Sequence, residues 1–186
     1  IMSKELAVRV IDDAADLGVN SLKFNYRGES TINPHFAAIT AHAKALASGS
    51  TFIDRLSNSN FKFRTDRDDI FDGLCNQTKV KISYDSFRKD VFETQRRGGD
   101  HEITTRNIDK FYNYPKRKET ELVIQAVRTK LNKDEDIAGE AKQRWPDAAV
   151  SIRDMVEGRV DSDLTALTNR NRQVEVRQSC LQAHVR

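Results

Sequence analysis

Apolar residues recur at helical spacing over residues 3–17, where Leu6, Val10, Ala14 and Leu17 fall near one face. Ser3 can cap the start of that helix and Gly18 can stop it. Residues 20–26 read as a strand. Asn33 as N-cap, with Pro34 at the first helical position, opens a second helix whose Phe36, Ile39, Ala43 and Leu46 share a face before Ser48-Gly49 end it. Residues 51–57 fit the next strand. A short helix follows through Ile70, Phe71 and Leu74, with Thr65 and Asp68 in the spacing of a capping box. Over 79–84, Val80 and Ile82 alternate with Lys79, Lys81 and Ser83, which predicts a strand with one apolar and one polar face. Helical stretches at 86–95 and 100–112 are separated by Gly98-Gly99, and residues 121–129 form a further strand. A helix over 134–144 ends at Pro146 and is followed by a strand at 149–153.

Strands and helices therefore alternate, with strands starting at intervals of roughly 27 to 42 residues, the length of a βαβ unit. Such alternation predicts an α/β fold built on a parallel sheet with right-handed crossovers. Periodicity alone does not separate an open doubly wound sheet from a closed or partial barrel. Residues 1–158 carry this pattern. Residues 159–178 are polar, rich in Asn and Arg and weakly periodic, as in a linker or lid. Residues 179–186 alternate through Leu181, Ala183 and Val185 and read as the start of a further module that is cut off.

Composition narrows the classes. With 186 residues, 38% hydrophobic and 32% charged, the chain can bury one substantial core and is not a disordered sequence. Its 31 Lys and Arg against 28 Asp and Glu leave a net charge of +3 spread along the chain, which is no nucleic-acid signature. Arg96-Arg97 and the 116–118 basic run read first as solvated turns. No apolar run approaches the roughly 18 residues that span a bilayer. The two cysteines, Cys75 and Cys180, form no disulfide framework or metal motif by themselves, so a reduced, cytoplasmic chain is expected. No His pair at metal spacing, no Gly-x-Ser-x-Gly elbow and no phosphate-binding Gly loop is present. His35 and His42 read as helix-surface residues.

Candidate chemistry then rests on the carboxyl ends of the strands, where the loops of parallel α/β folds converge. There the chain places Gly28-Glu29, Ser57-Asn58, Ser83 with Asp85, Asn132, and Ser151 with Arg153. These small, hydrogen-bonding groups, with a carboxylate and nearby arginines, suit a zwitterionic, ribose-bearing ligand better than a hydrolytic reaction. Segment by segment they match one pattern. Gly28-Glu29 followed by Asn33-Pro34-His35-Phe36 resembles the Gly-Gly-Glu-Pro segment of radical SAM enzymes, with Arg27 in place of the first Gly and Ser30 in place of Pro. Leu56-Ser57-Asn58-Ser59 is similar to that family's Thr-Asn-Gly strand end, and Ile82-Ser83-Tyr84-Asp85-Ser86 to its Ser-Leu-Asp-Gly segment. Phe92-Glu93, Arg97-Gly98 and Asn107-Ile108 follow its Tyr-Glu, Arg-Gly and Asn-Ile order, and residues 127–132 resemble the strand that leads to an Asn.

The resemblance, which covers roughly residues 3–155, implies a partial parallel (β/α) barrel of the radical SAM type. It implies that the first strand and its Cys-x3-Cys-x2-Cys loop for a 4Fe-4S cluster lie before Ile1. By the same resemblance Gly28 and Glu29 receive the methionine amino group of S-adenosylmethionine, and Ser83 its ribose or carboxylate. Arg97 or Arg96 would take the carboxylate, Asn132 the ribose or methionine end, and Asn58 the strand edge. Residues 180–186 resemble the beginning of a SPASM-type domain, in which Cys180 would ligate an auxiliary iron-sulfur cluster; Cys75 reads as structural. The implied reaction is hydrogen abstraction by a 5'-deoxyadenosyl radical, with a peptide or protein as substrate and flavodoxin or ferredoxin as electron donor. Two alternatives stay open: another α/β-barrel enzyme, and a non-catalytic binding module that contacts nucleic acid through its basic runs.

Overall fold

A computed structural model describes residues 1–25, 28–63 and 67–155. The Thr65 capping position, the 159–178 linker and the 179–186 module with Cys180 lie outside the described residues. The described chain runs α1 (Lys4–Asp16), β1 (Ser21–Lys23), α2 (Phe36–Ala45), β2 (Asp54–Ser59), α3 (Asp68–Cys75) and β3 (Lys79–Ser83). It continues through α4 (Lys89–Gln95), α5 (His101–Tyr112), β4 (Glu121–Arg128), α6 (Ile137–Arg144) and β5 (Ala149–Asp154), with 3-10 turns at Ser30–Ile32 and Pro115–Glu119. Every element expected within the described residues is present in the expected order.

All five strands are parallel and lie side by side in chain order. A right-handed crossover steps each strand in the same direction, so an order that never reverses keeps the helices on one face. A doubly wound sheet would reverse its order and cover both faces. This is the topology of a partial parallel (β/α) barrel, and it settles what periodicity left open.

Register explains the two faces. Because side chains alternate along a strand, the rows Ser57–Val80–Leu122 and Ser59–Ile82–Ile124–Val150 share one side of the sheet. Val80, Ile82, Leu122 and Ile124 on that side are buried in a core with Phe36, Phe61, Phe71, Phe92, Phe111 and Trp145. A second cluster of Ala7, Ile11, Ile39, Ala43 and Phe52 joins α1 and α2 to the sheet. Helices α2 and α3 approach closely at Gly73, where an added Cβ would stand 2.7 Å from the Phe36 ring. The other face carries the rows Asn58–Lys81–Val123–Ala149 and Ser83–Gln125–Ser151. It is largely polar, and Lys79 and Glu121 form an ion pair across it at 2.9 Å.

Several boundaries differ from the sequence expectation: β1 ends at Lys23 rather than 26, β2 runs on to Ser59 rather than 57, and α6 begins at Ile137 rather than 134. Asn33 does not cap α2; its Oδ1 accepts from the His35 N–H at 2.9 Å in a short Asx turn, and the helix begins only at Phe36. The reason is local: residues 30–32 already form a 3-10 turn, so Asn33-Pro34 serves the joint between two helical pieces. Strand β2 starts at Asp54 rather than at 51, because Thr51 closes a tight turn with Ser48 and Phe52 sits at φ 51° with its ring fully buried. The β-propensity of Thr51, Phe52 and Ile53 is overridden by that turn. Helix α4 starts at Lys89 rather than 86, since Ser86 and Phe87 are held in an extended loop by Glu135, which accepts from Ser86 Oγ at 2.6 Å and Phe87 N–H at 2.5 Å. Helices α1 and α5 begin as expected, with Ser3 and Asp100 accepting from the Leu6 and Ile103 N–H groups.

Candidate functional site

The carboxyl ends of the strands are joined by one hydrogen-bonded path. Glu29, after β1, accepts from Thr31 Oγ1 at 2.8 Å and Thr31 N–H at 3.4 Å through Oε1, and from the Asn60 N–H at 2.7 Å through Oε2. Asn60, after β2, accepts through Oδ1 from Arg96 Nη1 at 2.9 Å. Arg96 Nε lies 2.8 Å from Asp85 Oδ2, an ion-pair contact whose angle falls outside hydrogen-bond alignment. Asp85, after β3, accepts through Oδ1 from the Val127 N–H on β4 at 2.7 Å. A carboxylate near β1 is thus tied to a guanidinium between β2 and β3, and that in turn to the end of β4.

Two cavities flank this path. One, of about 310 Å³, is lined by Asn60, Lys62, Asp85, Arg96, Arg97 and Thr104 among others. The second, of about 530 Å³, lies beside β1, where Asn25, Gly28, Glu29 and Ser30 meet an apolar wall that includes Ile11, Phe24 and Phe36. Gly28 adopts φ 96°, a left-handed conformation that a side chain would strain, and this is the reason the turn takes glycine. Ser30 Oγ is buried without a hydrogen-bond partner among the described residues.

The expected site residues divide into three groups. Gly28 and Glu29 line the β1 cavity, and Arg97 lines the smaller one, exposed at its rim. Asn58 and Ser83 stand side by side on the polar face, where Ser83 Oγ donates to Asn58 Oδ1 at 3.2 Å and the Asn58 N–H donates to Asn25 Oδ1 at 2.9 Å. They line neither cavity. Asn132 is 1% exposed and faces inward; its Nδ2 donates to the Asp85 carbonyl at 2.7 Å and the Val127 carbonyl at 2.9 Å, and its Oδ1 accepts from the Thr129 N–H at 2.7 Å. Asn132 therefore shapes the β3 and β4 ends from behind. Asn60 was not legible as a site residue, because placing the end of β2 at 57 instead of Ser59 hides that Asn60 is the first residue past it.

A second polar network stands behind Asp85. The Tyr84 hydroxyl lies 2.8 Å from His101 Nε2 and 2.7 Å from Thr105 Oγ1, and Thr105 Oγ1 donates to the His101 carbonyl at 2.7 Å. Burial pushes the Tyr84 phenol up to about 12, so it is a donor throughout the neutral range. Burial also holds the His101 ring below its ordinary value, against the nearby Glu93 carboxylate, while Lys89 and Arg144 add to the lowering. The folded state thus favours neutral His101, and below the ordinary histidine range the unfolded chain binds more protons. Stability that His101 contributes is present above that range and declines as pH falls through it. His101→Gln is expected to flatten the decline in unfolding free energy between about pH 7.5 and 5.5, around the free-histidine pKa. Denaturant titrations at both pH values check this, and parallel profiles for the two proteins would refute it.

Other titratable candidates are structural. Cys75 closes α3, and burial pushes its thiol up to about 11, so it is a protonated core residue at neutral pH. His42 pairs with Asp12 at 2.6 Å between α2 and α1, and His35 is exposed. Among the described residues no group of three His, Cys, Asp or Glu could hold a metal ion, and no helix is long and apolar enough to cross a membrane.

No protein-family model matches the chain, and no curated protein matches it in sequence. Among solved structures it is similar to native anSMEcpe with bound AdoMet and Kp18Cys peptide, with a TM-score of 0.62 at 14% identity. The similarity covers 84% of this chain and 44% of that one, so this chain spans less than half the length of its structural neighbour. At that identity the likeness establishes the fold.

Proposed function

We propose that this chain forms the S-adenosylmethionine-binding part of a radical SAM enzyme acting on a peptide or protein substrate. The observation that carries the reading is the path from Glu29 through Asn60 to Arg96. It sets an anionic group and a cationic group apart along the carboxyl edge of a partial barrel, as an amino-acid cofactor with an ammonium and a carboxylate requires. The residues present fit such a ligand. The β1 cavity offers the Glu29 carboxylate, the buried Ser30 hydroxyl and an apolar wall, and the adjoining cavity offers Arg96, Arg97 and Lys62. AdoMet and a peptide are what the neighbouring fold binds in its solved structure, and both are carried to this chain as part of the proposal.

In this reading Glu29 orients the methionine ammonium, Gly28 lets the ligand approach the backbone, and the arginine pair faces the carboxylate. Asn58 and Ser83 line up the polar inner face toward the ribose, and Asn132 fixes the strand ends on which these groups stand. S-adenosylmethionine, when bound and reduced by one electron, would release methionine and supply a 5'-deoxyadenosyl radical for hydrogen abstraction from substrate. The described residues do not fit an iron-sulfur cluster, so its ligands are not among them, and the chain's own contribution is to bind and orient.

Titration calorimetry with S-adenosylmethionine tests the reading. Saturable binding to the chain is expected, weakened about tenfold by Glu29→Gln, the worth of one charge-assisted contact. Absence of binding to the unaltered chain, or equal affinity in Glu29→Gln, would remove it.

A further inference from the structure

Among the described residues, the inner face of the sheet carries a half-buried cation without a counter-ion. Parallel strands packed on both faces read as near-continuous apolar runs, and a closed (β/α) barrel fills its interior with bulky branched side chains. Strand β3 is built otherwise. Val80 and Ile82 enter the core, while Lys79, Lys81 and Ser83 alternate onto the opposite face. Lys79 is matched there, since its Nζ lies 2.9 Å from Glu121 Oε2 on β4. Lys81 stands in the next row, between Asn58 on β2 and Val123 on β4, half-buried. Its ammonium has neither an ion pair nor a hydrogen bond among the described residues.

The carboxylates nearest in the fold are already engaged. Glu121 is held by Lys79, Asp85 by Arg96 and the Val127 N–H, and Glu29 by Thr31 and the Asn60 N–H. Polar capacity next to Lys81 is also unspent. Gln125 and Ser151 share the Ser83 row, are half-buried, and make no side-chain hydrogen bond among the described residues. A half-buried ammonium gives up part of its hydration and recovers that loss only from an anion or from other acceptors. We propose that Lys81 anchors an acidic side chain of the peptide substrate, with Gln125 and Ser151 as the hydrogen-bonding groups beside it. The inference rests on the enzyme reading above and names the substrate class of that site, a peptide with Asp or Glu near the residue that is modified.

Depth separates this anchor from the groups assigned to the cofactor. Residues two apart on a strand lie about 6–7 Å apart along it, so Lys81 is set that far below Ser83, toward the amino ends. Glu29, Arg96 and Arg97 instead follow the strands that precede them. A side chain that enters past the carboxyl edge can therefore meet Lys81 while the cofactor occupies the rim. A single ammonium flanked by an amide and a hydroxyl also suits one carboxylate, whereas a nucleic-acid strand is held by several cations along its phosphates.

Two blocked tripeptides, acetyl-Ala-Glu-Ala-amide and acetyl-Ala-Gln-Ala-amide, test the assignment, because their only difference is one carboxylate against one amide. In NMR titrations of the whole chain the glutamate peptide is expected to bind about tenfold more tightly, the worth of one charge-assisted hydrogen bond, with shifts centred on the backbone amides of β3 and β4. Lys81→Gln should abolish the preference and Lys81→Arg should keep most of it, and both variants should bind S-adenosylmethionine as the unaltered chain does. Equal affinity for the two peptides, binding of neither, or a preference that survives Lys81→Gln would overturn the assignment while leaving the cofactor reading intact. A chain that shows the Lys81-dependent preference without affinity for S-adenosylmethionine would support the acidic-ligand site and overturn the cofactor reading.

Discussion

Asn132→Ala is expected to cost the fold roughly 3–5 kcal/mol, since it orphans three buried backbone groups at about 1–3 kcal/mol each before partial relaxation. The carbonyls of Asp85 and Val127 lose the donor they share, and the Thr129 N–H loses its acceptor. Water cannot readily replace the amide, because the side chain is 1% exposed. For a domain whose total stability is of order 5–15 kcal/mol, the variant should be close to half unfolded under mild denaturant. Asn132→Asp separates the two halves of the role: it keeps an acceptor for Thr129 and loses both donations to β3 and β4. Urea titrations that place both variants within about 1 kcal/mol of the parent, the scale of an ordinary surface change, would show that the strand ends do not depend on this residue. The expected loss also reaches the smaller cavity, because the Asp85 backbone held by Asn132 carries the carboxylate that faces Arg96.

The fold was legible because its signals are local and repeated. Val80 and Ile82 against Lys79 and Lys81 name the two faces of β3 directly, and Ser3 and Asp100 cap the helices they precede. Strand order was not legible in periodicity, which is the same for open and closed arrangements; it came through the resemblance, whose partial parallel barrel agrees with the order of the sheet. The site was legible in part. Gly28 and Glu29 announce themselves by a turn that needs glycine, and Arg96-Arg97 by charge, but which arginine is buried depends on Asp85 and Asn60 arriving from two other strands. Asn132 reads in sequence like a ligand-facing group past a strand; only the fold shows its amide spent on the backbone of two neighbours. Boundary errors at β2 had the largest consequence, because a shift of two residues at the carboxyl end exchanges Asn58 for Asn60 as the group at the rim.

That boundary is set by Phe61, and its replacement by alanine is expected to destabilise the chain by about 3–4 kcal/mol, within the range for removing a core phenylalanine. Two effects oppose each other here. Phe61 sits at φ 51°, a conformation that costs a non-glycine residue on the order of 1–2 kcal/mol, and alanine at the same position pays it too. The ring is fully buried, with centroids 5.5 Å from Phe111, 5.6 Å from Phe63 and 6.4 Å from Phe71, so burial outweighs strain and holds the turn. Asn107 locks the same turn by donating through Nδ2 to the Phe61 and Phe63 carbonyls at 2.8 and 2.7 Å. Because the turn follows Asn60 immediately, loosening it frees the residue that joins Glu29 to Arg96. Under the proposed cofactor reading, Phe61→Ala should therefore also weaken S-adenosylmethionine at a temperature where the variant remains folded, whereas Phe61→Leu, which refills much of the pocket, should lose less stability and keep more affinity. If calorimetry finds Phe61→Ala as tight a binder as the parent, Asn60 is held by Glu29 and Arg96 alone, and the aromatic cluster serves the core without serving the site.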